Sequence, residues 1–316
     1  MKFSNLLIYA GREPNPDFYY HSGLQLTHAF LLLKGRHKTI ITNSVNQGLG
    51  NRFSGKYIVA KDVFKETARQ VKAAGIDGKM PVHVYLKLKN KIKMTDATDE
   101  LYFMRMKKTA EELAKIRKAV HATKDILRTV RITEGRSEMD VAAELLAETY
   151  KRGLEPAYAP IVATGKNAVT PHALISGKRI EDYVLIDYGV KYKQYCADIT
   201  RCFFFKSKKA AAIKEKYEKL ERLAYNIIDA GASMRTTKEI REYYLKENKA
   251  AGLPEPIHAI GHGIGLEVHE YPRFGAKYKD KIAGCTFTIE PGAYYGGFGL
   301  RFEETTYHNG KKIMVL

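Results

Sequence analysis

The spacing of hydrophobic positions changes near residue 106. Before it, short apolar runs alternate with turn residues. Ala29-Phe30-Leu31-Leu32-Leu33 and Lys38-Thr39-Ile40-Ile41-Thr42 flank Lys34-Gly35-Arg36, which predicts two strands and a tight turn. The run ending Leu6-Leu7-Ile8-Tyr9 is too short for a signal peptide and no small-residue cleavage site follows, so it reads as a first strand. A helix is expected over residues 62–74, opened by Asp62 and stopped by Gly75. Residues 1–106 therefore read as a small α/β domain.

From residue 107 the period lengthens. Thr109-Ala110-Glu111-Glu112 is a capping-box pattern, and Leu113, Ile116, Val120 and Leu127 follow at helical spacing. A faint repeat runs through residues 107–316. Gly135-Arg136-Ser137 opens one helix that ends at Gly153-Leu154-Glu155-Pro156. Gly231, with Thr237 as N-cap, opens another that ends at Gly252-Leu253-Pro254. Gly135 to Gly231 is 96 residues and Gly153 to Gly252 is 99. Each helix follows a long Lys/Glu-rich helix and precedes β-like segments. That order suggests two similar halves with a site at their seam.

Composition bounds the class. With 45% hydrophobic residues in 316, the chain can bury two cores. No run approaches the roughly 18 apolar residues of a membrane span, so a cytoplasmic location is expected. Three cysteines, Cys196, Cys202 and Cys285, lack paired spacing and read as reduced thiols. The net charge of +18 raises nucleic acid as a partner, but the lysines are spread along the whole chain and no aromatic-interleaved basic motif appears. Nucleic-acid binding is not expected.

Carboxylates recur at the ends of apolar β runs, where burial is costly unless they are paired or bind metal. Asp187 closes Tyr183-Val184-Leu185-Ile186-Asp187-Tyr188-Gly189, and Asp198 opens Asp198-Ile199-Thr200-Arg201 eleven residues later. A turn at Lys191-Tyr192-Lys193 would set the two on neighbouring strands. His262 stands in Gly261-His262-Gly263-Ile264-Gly265, whose glycines allow close approach to a ligand. Glu290 follows Thr286-Phe287-Thr288-Ile289, and Glu303 follows Leu300-Arg301-Phe302. Four acids and one imidazole suit Mn²⁺, or Co²⁺, Fe²⁺ or Zn²⁺ in a carboxylate-rich site, and disfavour a structural zinc site.

The order Asp-x-Gly, Ala-Asp-Ile-Thr-Arg, Gly-His-Gly-Ile-Gly-Leu-x-Val-His-Glu, Ile-Glu-Pro-Gly and Arg-x-Glu resembles the pita-bread metallopeptidases: proline dipeptidases, aminopeptidase P and methionine aminopeptidase. The resemblance covers about residues 107–316. It implies a creatinase-like N-terminal α/β domain followed by a pseudo-twofold catalytic domain with a curved antiparallel sheet. It implies two divalent ions per subunit, Mn or Co first and Fe or Zn also accepted. Asp187 would bind one ion, Asp198 and Glu303 would bridge both, and His262 and Glu290 would complete the second. Glu290 would also shuttle the proton while a metal-bridging hydroxide attacks the bond. His172 and His269 match catalytic and substrate-binding histidines, and His258 a further pocket histidine of proline-specific members. Tyr294 and Arg301 fit places around the metal acids and substrate. His21, His28, His37, His83, His121 and His308 match nothing.

Asn15 to Leu24 loosely resembles a turn of the creatinase-type N-domain, which accompanies proline-specific members and their dimers. Methionine aminopeptidases usually lack that domain, and creatinase itself lacks metals. His269-Glu270-Tyr271-Pro272-Arg273 resembles the dipeptidase motif in which the arginine holds the substrate's C-terminal carboxylate. Glu304 stands where the family commonly has aspartate. The expectation is a homodimer that cleaves the bond preceding proline in small peptides, chiefly Xaa-Pro dipeptides. Aminopeptidase action on longer peptides, or a non-catalytic binding role, are the alternatives.

Overall fold

The computed structural model describes residues 3–316, which divide into two compact units that part between Arg105 and Met106. The first is built on a six-stranded sheet in the spatial order Lys56–Val59, His37–Thr42, Ala29–Lys34, Asn5–Ala10, Ala73–Ile76 and Lys93–Asp96. The three strands from Asn5 to Thr42 form an antiparallel meander, and the outer strands join it in parallel. Successive side chains face opposite sides of a strand. Leu6, Ile8, Leu31 and Leu33 therefore pack with Phe18 and Leu101 on one face, and Leu7, Tyr9, Phe30 and Leu32 with Ala68, Val84 and Leu88 on the other. Helices cover both faces, which is why these strands read as continuous apolar runs.

The helix expected over 62–74 is shorter. It runs Val63–Gln70 from the Asp62 cap, and Val71 is already extended at φ −144°. Ala73–Ile76 instead pairs between two strands. Gly75 does not stop the helix; a Cβ there would lie 2.6 Å from the Ala97 side chain. Sheet pairing overrides the local helical pattern.

In the second unit, the helix Ala110–Thr129 starts at a Thr109–Glu112 capping box and buries Ile116, Val120 and Leu127. Two helix pairs then repeat one plan: Ala110–Thr129 with Glu138–Lys151, and Lys208–Ala230 with Thr237–Ala250. Both second helices have 14 residues and a capping box, Ser137 with Asp140 and Thr236 with Glu239. Both end at a left-handed glycine, Gly153 at φ 67° and Gly252 at φ 64°. The cap of the second is Thr236 and not Thr237: Thr236 has extended backbone and accepts from Glu239 N, whereas Thr237 is already helical and buried.

Antiparallel strands complete each half: Ile161–Ala163, Tyr183–Tyr188 and Ile199–Phe204 in one, and Thr286–Ile289, Glu304–His308 and Ile313–Val315 in the other. The two groups meet where Glu303 N donates to Thr200 O (3.2 Å) and Asp198 N to Thr305 Oγ1 (3.1 Å). The architecture is the pita-bread arrangement: a mixed α/β domain followed by a duplicated α+β domain with antiparallel sheet. The turn expected at 191–193 falls later. Val190–Tyr192 is a strand, and the chain reverses at Lys193 and Gln194, whose φ of 47° and 72° are those of a two-residue hairpin turn. Among the described residues, no helix is long and apolar enough to cross a membrane.

Candidate metal centre

Strand register places the acids. Thr200 pairs with Asp187, so their side chains share one face, and Asp198, two residues before Thr200, falls on it too. Ile289 pairs with Glu304, and one residue further along the same register Glu290 lies opposite Glu303. His262 comes from the loop beside these strands. Its backbone is held by Thr288, whose N–H donates to His262 O (2.8 Å) and whose Oγ1 accepts from His262 N (3.1 Å). The flanking glycines serve this packing rather than a ligand. A Cβ on Gly261 would sit 2.0 Å from Thr288 O, and one on Gly263 2.5 Å from Glu270 O.

The side chains converge on His262. Its Nε2 lies 3.5 Å from Asp198 Oδ2, 3.5 Å from Glu290 Oε1 and 3.9 Å from Glu303 Oε1. Asp198, His262 and Glu303 each offer a ligand atom, all within 4.8 Å of one another. Glu303 Oε1 is buried and has no hydrogen-bond partner, while its other oxygen accepts from Thr200 Oγ1 (2.7 Å). Burial, and then neighbouring carboxylates, pushes Asp198 and Glu303 well above the carboxylate range and Glu290 up to about 8. Such crowding is the electrostatic complement of divalent cations, which reverse it.

Among the described residues, Arg301 is the one permanent cation paired with any of these acids. It is buried and ties the site together. Nη2 donates to Asp187 Oδ2, Nε to Thr200 Oγ1 (3.1 Å), and Nη1 to Tyr294 OH (2.9 Å) and Pro171 O (3.3 Å). Glu304, beside Glu303, pairs with Arg201 and with Lys124 Nζ (3.2 Å), so it faces away from the cluster.

Sequence reasoning passed over Tyr158. Its hydroxyl lies against Asp187 Oδ1 (2.5 Å) and Asp198 Oδ1, and burial beside these acids holds its pKa well above 10. A tyrosine in a bend just past the two-residue strand Glu155–Pro156 carries no periodic or motif signal.

The histidines ring the cluster unevenly. The His269 ring is 4.2 Å from that of His262 in edge-on contact, and burial lowers its pKa to about 4. His258 meets Tyr294 OH at 3.0 Å and Glu290 Oε2 at 3.7 Å, and burial also takes it down to about 4. His172 is exposed and stands on the same side of the cluster as His258 and His269, near enough to act on both electrostatically. Arg273 is held by Asp280, through Nε to Oδ2 (3.0 Å) and Nη2 to Oδ1 (3.0 Å), and stacks on Tyr271 and Tyr278.

Residues 114–309 match the model of Metallopeptidase family M24. The chain is 32% identical to the Xaa-Pro dipeptidase of Pyrococcus horikoshii over 95% of its own length and 90% of that protein. Its structure resembles the prolidase of the same organism, with a TM-score of 0.90, 29% identity, and coverage of 99% of this chain and 93% of that one. It also resembles an X-Pro aminopeptidase of Thermotoga maritima, with a TM-score of 0.85, 27% identity, and coverage of 100% and 95%.

Proposed function

The chain belongs to metallopeptidase family M24, and on that premise we propose that it hydrolyses the bond preceding proline, chiefly in Xaa-Pro dipeptides. Asp187, Asp198, His262, Glu290 and Glu303 would hold two divalent ions, Mn or Co in the first instance and Fe or Zn as alternatives. The observation that carries this reading is Glu303 Oε1, a buried carboxylate oxygen without a partner, facing His262 and two further acids. An unpaired carboxylate oxygen in such a place is costly, and metal coordination satisfies it.

When bound, two such ions supply a water of near-neutral pKa and polarise the scissile carbonyl. The protein's part is proton handling and placement. Glu290, with Oε1 3.5 Å from His262 Nε2, is placed to take up the proton that the attacking water gives up and to deliver it to the proline nitrogen as it leaves. His269, neutral because burial lowers its pKa to about 4, can offer a ring N–H to the substrate without adding charge. His258, whose Nδ1–H donates to Ala259 O (2.8 Å) and whose Nε2 meets Tyr294 OH (3.0 Å), lines the pocket as an uncharged ring. His172 contributes a third contact from the exposed side. Tyr294 and Arg301 keep Asp187 and His258 in place.

One observation favours the aminopeptidase reading. The fork of Arg273, which the dipeptidase motif assigns to the substrate carboxylate, is engaged by Asp280. Rates on an Xaa-Pro dipeptide, an Xaa-Pro-Yaa tripeptide and a Met-initiated peptide, each with Mn²⁺ and Co²⁺, test the choice. The dipeptide is expected to turn over fastest. A loaded enzyme that ignores it and trims the tripeptide overturns the dipeptidase assignment. The reading places the enzyme in the cytoplasm as a homodimer, and light scattering at twice the mass of the 316-residue chain is the expected result for the latter.

A further inference from the structure

Glu138 opens the helix Glu138–Lys151 and is shut off from solvent entirely. Four donors converge on its carboxylate. Thr164 N donates to Oε1 at 2.8 Å. Asn167 Nδ2 (2.7 Å), Ser176 N (3.0 Å) and Ser176 Oγ (2.6 Å) all donate to Oε2. None of these partners is a cation. A buried carboxylate without a counter-charge is tolerated only where hydrogen bonds satisfy it, and here the first turn of a helix adds its favourable dipole.

Those donors sit at the two ends of one loop, residues 164–176, and His172 stands within it. The loop is cross-braced. Asn167 Nδ2 also donates to Leu174 O (3.0 Å), and Arg301 Nη1 to Pro171 O (3.3 Å). The backbone on both sides of His172 is thereby fixed while its ring stays exposed. A loop with this much backbone immobilised around one exposed imidazole is built to present that ring.

We propose that Glu138 is a positioning residue for substrate, acting through His172; this rests on the reading of His172 as a substrate contact. Glutamine has the same size but would set an N–H₂ against donors that a carboxylate accepts. Glu138→Gln should therefore release the loop without opening a cavity.

The test is a double-mutant cycle in metal-loaded enzyme on an Xaa-Pro dipeptide, with KM and kcat read separately and bound metal per chain measured alongside. His172→Ala and Glu138→Gln are each expected to raise KM roughly tenfold while lowering kcat less, as misplacement of a binding group does. The double variant should be no worse than His172→Ala alone, and metal content should not change. If Glu138→Gln fails to fold, Ser176→Ala removes one donor from the same carboxylate and should raise KM roughly fivefold, the weight of one hydrogen bond. An unchanged KM in His172→Ala overturns the reading of His172 itself. A raised KM there, with effects that multiply in the double variant, overturns only the role of Glu138. Loss of metal in Glu138→Gln also overturns it.

Discussion

Arg301 and Asp187 are both shielded, with 4% and 12% of their side chains exposed, and each is the other's charge partner. Removing one member of such a pair leaves an uncompensated charge, which costs about 3–5 kcal/mol. Arg301→Met should lower the unfolding free energy of the metal-free protein by about that much in urea titrations, and a loss below about 1 kcal/mol would show that Tyr158 alone satisfies Asp187. His21, in the other unit, gives a pH signature. Burial lowers its pKa from 6.5 to about 4, so the unfolded chain takes up a proton first as pH falls. Its contribution is thus intact above about pH 6.5 and is lost on descending towards 4. Asp77 works in the opposite sense, since burial raises it to about 6 and the folded state gains protons as pH falls through that value. Comparison with His21→Gln isolates the histidine: the wild type should lose about 2 kcal/mol more than the variant between pH 7 and pH 5. Equal losses would refute it. At this scale the sequence pointed to Asp198, His262 and Glu303 because acids at the ends of apolar strands are costly, and the structure brings their ligand atoms together. It was silent on what Tyr158, Thr200 and Glu138 touch, because those contacts span from 26 residues, for Glu138 with Thr164, to 103, for Thr200 with Glu303.

Among the elements, the duplicated helices were the most legible part of the chain. Caps are local: Ser137 and Thr236 bond three residues ahead, and Gly153 and Gly252 close the same helices with positive φ. The position of the second cap separates two neighbouring threonines. Thr236→Ala should cost about 1 kcal/mol in chemical denaturation, the usual weight of a cap. Thr237→Val should be near neutral, because the Thr237 hydroxyl is buried without a partner. The reverse order would contradict the assignment. The helix expected over 62–74 was misread because nothing within that window shows that Ala73–Ile76 is claimed by strands at Leu6 and Lys93. The turn expected at 191–193 starts two residues later, at Lys193, since neither Lys193 nor Gln194 is a usual bearer of positive φ.

Across the whole molecule, a chain of net charge +18 gathers three carboxylates, Asp198, Glu290 and Glu303, within 3.9 Å of the His262 ring, with Asp187 joined to them through Tyr158. Distant lysines are screened beyond about 8 Å at physiological ionic strength, so the local acids decide what binds there. The family order of the motifs was readable along the chain, whereas the distances that make them one site follow from pairing between Tyr183–Tyr188, Ile199–Phe204, Thr286–Ile289 and Glu304–His308. Substrate length was the least legible property, because on the proposed reading it turns on whether Arg273, bound here by Asp280, releases it for a substrate carboxylate. Asp280→Asn weakens that competitor, and it should lower KM for an Xaa-Pro dipeptide roughly threefold with little change for the tripeptide; equal effects on both would detach Arg273 from chain-length recognition. The central claim is that Glu303 and its neighbours hold paired divalent ions. Metal analysis after equilibrium dialysis against Mn²⁺ or Co²⁺ measures it directly. About two ions per chain are expected in the wild type and fewer than about one in Glu303→Gln, with both proteins folded by circular dichroism. A wild type that retains none, or a variant that retains as many, would contradict the account.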